Sequence, residues 1–129
     1  MTENQRAVVD ALLRHDLTAF TQRCFQTVVP GQSYLHNWHI ESITHHLELC
    51  RQGKTRRLII TLPPRNLKSI CASVAFPAFA LGHDPALRIV CASYAQDLTI
   101  KHARDCRTVM ENAWYQTDDH TLKITPGNH

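Results

Sequence analysis

Glycine is scarce in this chain, with four residues in 129, at positions 31, 53, 82 and 127. None lies between Gly53 and Gly82. A phosphate loop of the usual G-x-x-x-x-G-K-[S/T] form, which relies on glycines to reach positive φ, is therefore excluded from that stretch. No G-x-S-x-G turn exists for a serine nucleophile. The five cysteines, at 24, 50, 71, 91 and 106, are odd in number, widely spaced and without a C-x-x-C pair. That pattern argues against a disulfide framework or a zinc site and predicts reduced, mostly buried thiols. Cys71 and Cys91 sit in apolar runs, where a thiol is expected to stay protonated and inert. There are nine histidines but no H-E-x-x-H. His36, His39 and the adjacent His45 and His46 have helical spacings, yet no cysteine lies at ligand spacing beside them. The longest weakly polar run, residues 70–81, is too short to span a bilayer and contains Pro77. The N-terminal Met1-Thr2-Glu3-Asn4-Gln5-Arg6 lacks the apolar core of a signal peptide, so a cytoplasmic location and no membrane partner are expected.

Acidic residues are scarce in the middle of the chain. Residues 51–110 hold ten Lys and Arg against three Asp, a net charge of +7, while the remainder carries −4. A basic middle suits a polyanion such as nucleotide phosphate or nucleic acid, or is simply a solvated surface. His102, beside Lys101 and Arg104, presents the same two readings on a smaller scale.

The length predicts one domain with a real core. Residues 4–25 carry a helical stripe through Val8, Leu12, Leu13, Leu17, Phe20 and Phe25, ended by the turn Pro30-Gly31. A second amphipathic helix is expected over 38–50, with Asn37 as N-cap and Gly53 closing it. Residues 57–62 read as a buried strand, 67–81 as a helix bent at Pro77, and 87–93 as a second buried strand. Residues 95–111 read as a further helix, and Leu122-Lys123-Ile124 as the start of a third short strand. Strand, helix, strand, helix at this spacing predicts an α/β fold. The expected architecture is a partial P-loop NTPase fold with a short parallel sheet of two to three strands flanked by helices. The expected division is an N-terminal helical segment, residues 1–30, and a partial ATPase domain, residues 31–129.

The segment Thr61-Leu62-Pro63-Pro64-Arg65-Asn66-Leu67-Lys68-Ser69 joins the first expected strand to a helix. A strand, a tight turn ending in Lys-Ser and a helix is the local layout of a P-loop. There backbone N–H groups and a lysine hold phosphate and the hydroxyl binds magnesium. Lys68 and Ser69 supply the last two in the right order, and Arg65 adds a cation. The glycine positions of the motif are Leu62 and Leu67, and Pro63 and Pro64 have no N–H to donate. The alternative is a plain strand-to-helix turn.

Several blocks in order raise the first reading. They are Tyr34-Leu35-His36-Asn37-Trp38-His39-Ile40, Arg57-Leu58-Ile59-Ile60-Thr61-Leu62-Pro63-Pro64-Arg65 and Lys68-Ser69. Phe76-Pro77 with Leu81-Gly82, Ile89-Val90-Cys91-Ala92-Ser93-Tyr94-Ala95-Gln96 and Ala103-Arg104-Asp105-Cys106-Arg107 follow. Together, over about residues 20–115, they resemble the N-terminal ATPase region of the large terminase subunit of tailed bacteriophages, the ATP-driven motor for viral DNA packaging. The resemblance implies a deviant P-loop at residues 62–69. Arg65, Asn66, Leu67, Lys68 and Ser69 would lie at the phosphates of ATP, with Mg2+ on Ser69. Trp38 and His39 would hold the base. It implies double-stranded DNA as a partner and, for the full-length relative, the portal protein and the small terminase subunit. The family's Walker B strand with its acidic pair has no counterpart in this sequence: Asp118-Asp119 follows Trp-Tyr-Gln-Thr and reads as a polar turn. The nuclease domain is likewise outside it. A truncated prophage product with weak or no ATP hydrolysis is therefore expected. A non-catalytic DNA-binding fragment and an inert remnant are the alternatives.

Overall fold

The computed structural model describes residues 2–62 and 68–116. Among them are six α-helices and one π-helical stretch: α1 (Glu3–His15), α2 (Leu17–Val28), α3 (Trp38–Arg51), the π-helix (Ile70–Ala75), α4 (Phe76–His83), α5 (Gln96–Glu111) and α6 (Ala113–Gln116). No strand and no sheet are present among the described residues. The expected α/β sheet architecture is thereby corrected to an all-helical one. The third expected strand, Leu122-Lys123-Ile124, lies outside the described residues, as do Asp118-Asp119.

The single helix expected over 4–25 is two helices. Asp16 ends the first and starts the second: its backbone N–H bonds the Leu12 carbonyl, while its carboxylate accepts from the N–H of Thr18 at 2.9 Å and of Ala19 at 3.4 Å. A carboxylate that satisfies two otherwise unpaired N–H groups favours an extended Asp16 over a continuous helix. Replacing Asp16 by Ala should cost about 1 kcal/mol in urea unfolding and Asp16→Asn nearly nothing; an unchanged midpoint for the alanine variant would contradict the cap. Beyond the break, α1 buries no residue, and Val8 and Leu12 remain exposed rather than joining the core stripe.

Helix α2 is the centre of the fold and packs against α1, α3, the π-helix, α4 and α5. Leu17, Phe20 and Cys24, at i, i+3 and i+7, form its buried stripe. Ile40, Ile43 and Leu47 repeat that spacing on α3. Each such aliphatic or aromatic side chain contributes roughly 1.5–3 kcal/mol on burial. Between the two helices Thr18 Oγ1 and Thr44 Oγ1 lie 2.7 Å apart, which satisfies the buried Thr44 hydroxyl. Helix α3 closes as the sequence predicts. Gly53 takes φ +78°, its N–H bonds the Cys50 carbonyl and the Lys54 N–H bonds the Leu49 carbonyl, the paired bonds of a Schellman motif.

The helix expected over 67–81 changes register before Pro77. The chain runs from the π-helix into α4 with Pro77 in the first turn of the latter. The Phe76 N–H bonds Cys71, five residues back. In an α register the proline ring would meet the carbonyl four residues before it and leave that group unbonded. One extra residue in the turn before Pro77 relieves both conflicts.

Both segments read as strands are extended but unladdered. In residues 57–62, Leu58, Ile60 and Leu62 rest on the helical core, whereas Ile59 is 90% exposed. Residues 87–93 are exposed throughout, Val90 at 92%. Two short parallel strands cannot cover both of their faces. Here the helices close the core without them, and the β-prone runs keep their extended backbone and period-two alternation but form no sheet.

Candidate functional site

Lys68 and Ser69 open the helical run that continues into the π-helix, directly after the extended segment ending at Leu62. Both are half-buried. The Lys68 ammonium donates to the Leu62 carbonyl at 2.9 Å, so it ties the start of the helical run to the end of the extended segment. An ammonium has three donors, which leaves two for another acceptor. No carboxylate lies within ion-pair distance of it among the described residues. Ser69 is helical, φ −67° and ψ −39°, and its side chain makes no capping bond. A lysine and an uncapped hydroxyl therefore stand side by side at a helix start, a donor set suited to an oxyanion and to a hard cation that accompanies it. Arg65, Asn66 and Leu67, with Pro63 and Pro64, lie outside the described residues.

Trp38 and His39 form the first turn of α3, after Asn37, whose carbonyl accepts from the Ile40 N–H at 3.0 Å. The Asn37 side chain makes no capping bond. Trp38 is 76% exposed, and its ring stands edge-on to that of His39 at 6.4 Å between centroids. An open indole is able to stack on a planar ring. The described contacts of Trp38 and of Lys68 do not join: those of the first stay in the opening turn of α3 and those of the second end at Leu62.

Tyr34, His36 and Glu41 form a hydrogen-bonded group at the start of α3. Tyr34 Oη is 3.2 Å from His36 Nδ1, and His36 Nε2 is 2.7 Å from Glu41 Oε1. Burial pushes the Tyr34 phenol up, and the nearby Cys71 thiol and Glu41 carboxylate add to the shift. Tyr34 thus lies within electrostatic reach both of the first turn of α3 and of the π-helix, two residues past Ser69. The sequence signal was the tyrosine, histidine and glutamate within eight residues, which spacing alone does not separate from surface polarity.

The thiols divide by burial. Cys24 and Cys71 are buried, and Cys50 and Cys106 half-buried. Cys91 is exposed, which corrects its expected place in a buried strand. Desolvation raises Cys24 well above the ordinary thiol range, with neighbouring Cys106 and Cys71 adding to it, and raises Cys71 and Cys106 to about 11. These three stay protonated near neutrality and are poor nucleophiles. Among the described residues no group of three or more His, Cys, Asp or Glu is arranged to hold a metal ion. No helix among them is long and apolar enough to cross a membrane.

An open cleft of about 390 Å³ lies where residues 87–93 pass the helices. Its walls include Pro77, Leu81, Ile89, Cys91 and Met110, with Arg107 the only charged side chain. The basic character expected of the middle of the chain is realised on the surface. Arg56, Arg57, Arg88, Arg104 and Arg107 are exposed, and none is in an ion pair among the described residues, whereas Lys101 pairs with Asp105 at 3.1 Å.

Comparison with known proteins returns no match: no family model, no curated protein and no solved structure is similar to this chain.

Proposed function

We propose that this chain is a nucleotide-side fragment of a terminase-type DNA-packaging motor, acting in the bacterial cytoplasm, with a phosphate-binding turn at residues 62–69. The observation that carries this reading is the Lys68 ammonium at a helix start, tied to Leu62 by one bond, beside the uncapped Ser69 hydroxyl. The ordered sequence blocks on either side of that turn support it. Lys68 neutralises phosphate charge and Ser69 offers its hydroxyl to Mg2+. Arg65, Asn66 and Leu67 are the remaining phosphate-side residues of this reading, and Trp38 and His39 form its base side. Bound MgATP supplies the phosphoanhydride whose hydrolysis drives a packaging motor. No carboxylate pairs with Lys68 among the described residues, and the sequence has no Walker B acid to orient a water, so binding without appreciable turnover is expected of this chain.

Titration with MgATP by calorimetry tests it. Lys68→Ala should weaken binding by about tenfold or more, the loss expected of one charge-assisted phosphate contact. Binding indifferent to Lys68→Ala would remove the phosphate role. Robust Lys68-dependent hydrolysis would overturn the expected lack of turnover.

The five exposed, unpaired arginines favour a second reading, a non-catalytic fragment that binds double-stranded DNA. Its signature is binding that weakens steeply with salt yet ignores both ATP and Lys68→Ala.

A further inference from the structure

Residues 87–93 are the most exposed apolar stretch of extended backbone among the described residues. The Leu87 N–H bonds the Asp84 carbonyl at 3.2 Å. From Arg88 to Ser93 no backbone N–H or carbonyl pairs with another backbone group among the described residues. The run Arg88-Ile89-Val90-Cys91-Ala92 is β-prone and holds none of the devices that protect an edge: no proline, no lysine, no inward charge.

The side chains alternate. Ile89 and Cys91 line the cleft above Pro77, Leu81 and Met110, while Val90 points away at 92% exposure. A strand added alongside would place every second side chain over that open cleft and bond the free amides between. The other extended segment differs: Leu58, Ile60 and Leu62 already rest on the core.

Charge selects the partner. Arg88 on the segment is in no ion pair among the described residues, and residues 87–94 contain no Asp or Glu. The same segment of a second copy brings the same guanidinium and no carboxylate of its own to meet it. A nucleic acid would satisfy the arginines but leave Ile89, Val90 and the amides uncovered. We infer that residues 87–93 accept, by strand addition, an extended segment of a partner protein that alternates apolar and acidic side chains. Main-chain hydrogen bonds supply the affinity; the cleft takes the apolar side chains, and Arg88, on the face of Val90, takes the acidic ones. The inference is independent of nucleotide binding.

The experiment is amide hydrogen exchange on the full chain, followed by mass spectrometry, with an acetylated nine-residue peptide of alternating valine and glutamate. Exchange at 88–93 should slow by about tenfold or more at saturation, as newly bonded amides do, with residues 57–62 unaffected. The same peptide with alternate amides N-methylated should give no protection. Arg88→Glu, a change at an exposed side chain, should abolish the effect for the glutamate peptide and restore it for a valine–lysine one. Equal protection by the N-methylated peptide, or none by the parent peptide at millimolar concentration, overturns the inference. So does protection that follows self-association of the chain, or protection of the same amides by duplex DNA.

Discussion

Phe20→Ala should destabilise the protein by about 3–5 kcal/mol in urea unfolding, the range for removing a buried aromatic ring from a packed core. Phe20 is 4% exposed and meets three other rings edge-on. Its centroid lies 5.3 Å from Phe79, 5.4 Å from Trp114 and 6.2 Å from Tyr115. Those rings belong to α4 and α6, so one side chain of α2 holds two other helices. The same cluster carries two polar ties: Tyr115 Oη donates to the Ala78 carbonyl at 2.8 Å, and Trp114 Nε1 donates to Thr27 Oγ1 at 3.0 Å. Removing Phe20 leaves a cavity against these rings and loosens the short helix α6, whose four residues have little stability of their own. Since domains of this size are stable by only about 5–15 kcal/mol, the variant should be marginally folded. Val8→Ala, at a side chain 68% exposed, is the control and should shift stability by no more than about 0.5 kcal/mol. A Phe20→Ala loss as small as that of the control would show that the ring cluster is not part of the cooperative core.

The second large effect is alkaline destabilisation. Burial raises Cys71 and Cys106 to about 11 from the ordinary 9.0 and raises Cys24 and Tyr115 as well. In the unfolded chain these groups release their protons at lower pH. For Cys71 and Cys106 the contribution to stability is therefore complete below pH 9 and is lost as pH rises through 9 towards 11, and for Tyr115 the loss begins only near its ordinary 10.0. A shift of this size corresponds to about 2–3 kcal/mol for Cys71, with less for half-buried Cys106. Urea midpoints measured at pH 8 and pH 11 under reducing conditions should fall sharply for the parent protein. Cys71→Ala should lower the pH 8 midpoint by leaving a small cavity and should flatten the profile. An identical midpoint at both pH values for the parent would show that these thiols are solvated in the folded state.

Helix positions were largely legible before any coordinates. Helix α3 was expected over 38–50 and spans Trp38–Arg51, and α5 was expected over 95–111 and spans Gln96–Glu111. Both depend on interactions three and four residues apart, which the order of residues displays directly. The break at Asp16 is not part of the sequence reading, because the apolar stripe from Val8 to Phe25 runs through it without a glycine or proline. The π-turn before Pro77 was half legible. A proline inside a helix demands an adjustment, while the form of that adjustment depends on how its neighbours pack.

The sheet was the main misreading, and the reason is non-local. Arg57-Leu58-Ile59-Ile60 and Arg88-Ile89-Val90-Cys91 carry every local sign of a strand, and both are extended. A strand, however, exists only in its hydrogen-bonded neighbour, and no local signal states whether that neighbour is present. The candidate site follows the same division. That Lys68-Ser69 would open a helix could be read from the chain. The bond from Lys68 back to Leu62 and the approach of Tyr34 to the π-helix arise from how distant segments come together.

Residue order alone was therefore enough for the helical spans, the closing Gly53 motif, the basic middle and the place of the Lys-Ser pair, because all of these are matters of near neighbours and composition. Tertiary packing settled the rest: which apolar faces were covered, that α2 and not a sheet became the centre, and that Val90, Cys91 and Ile59 stayed in the open. The helices could satisfy their backbone within themselves and all but α1 also buried apolar side chains, whereas the two extended runs could not bond their backbone without a partner.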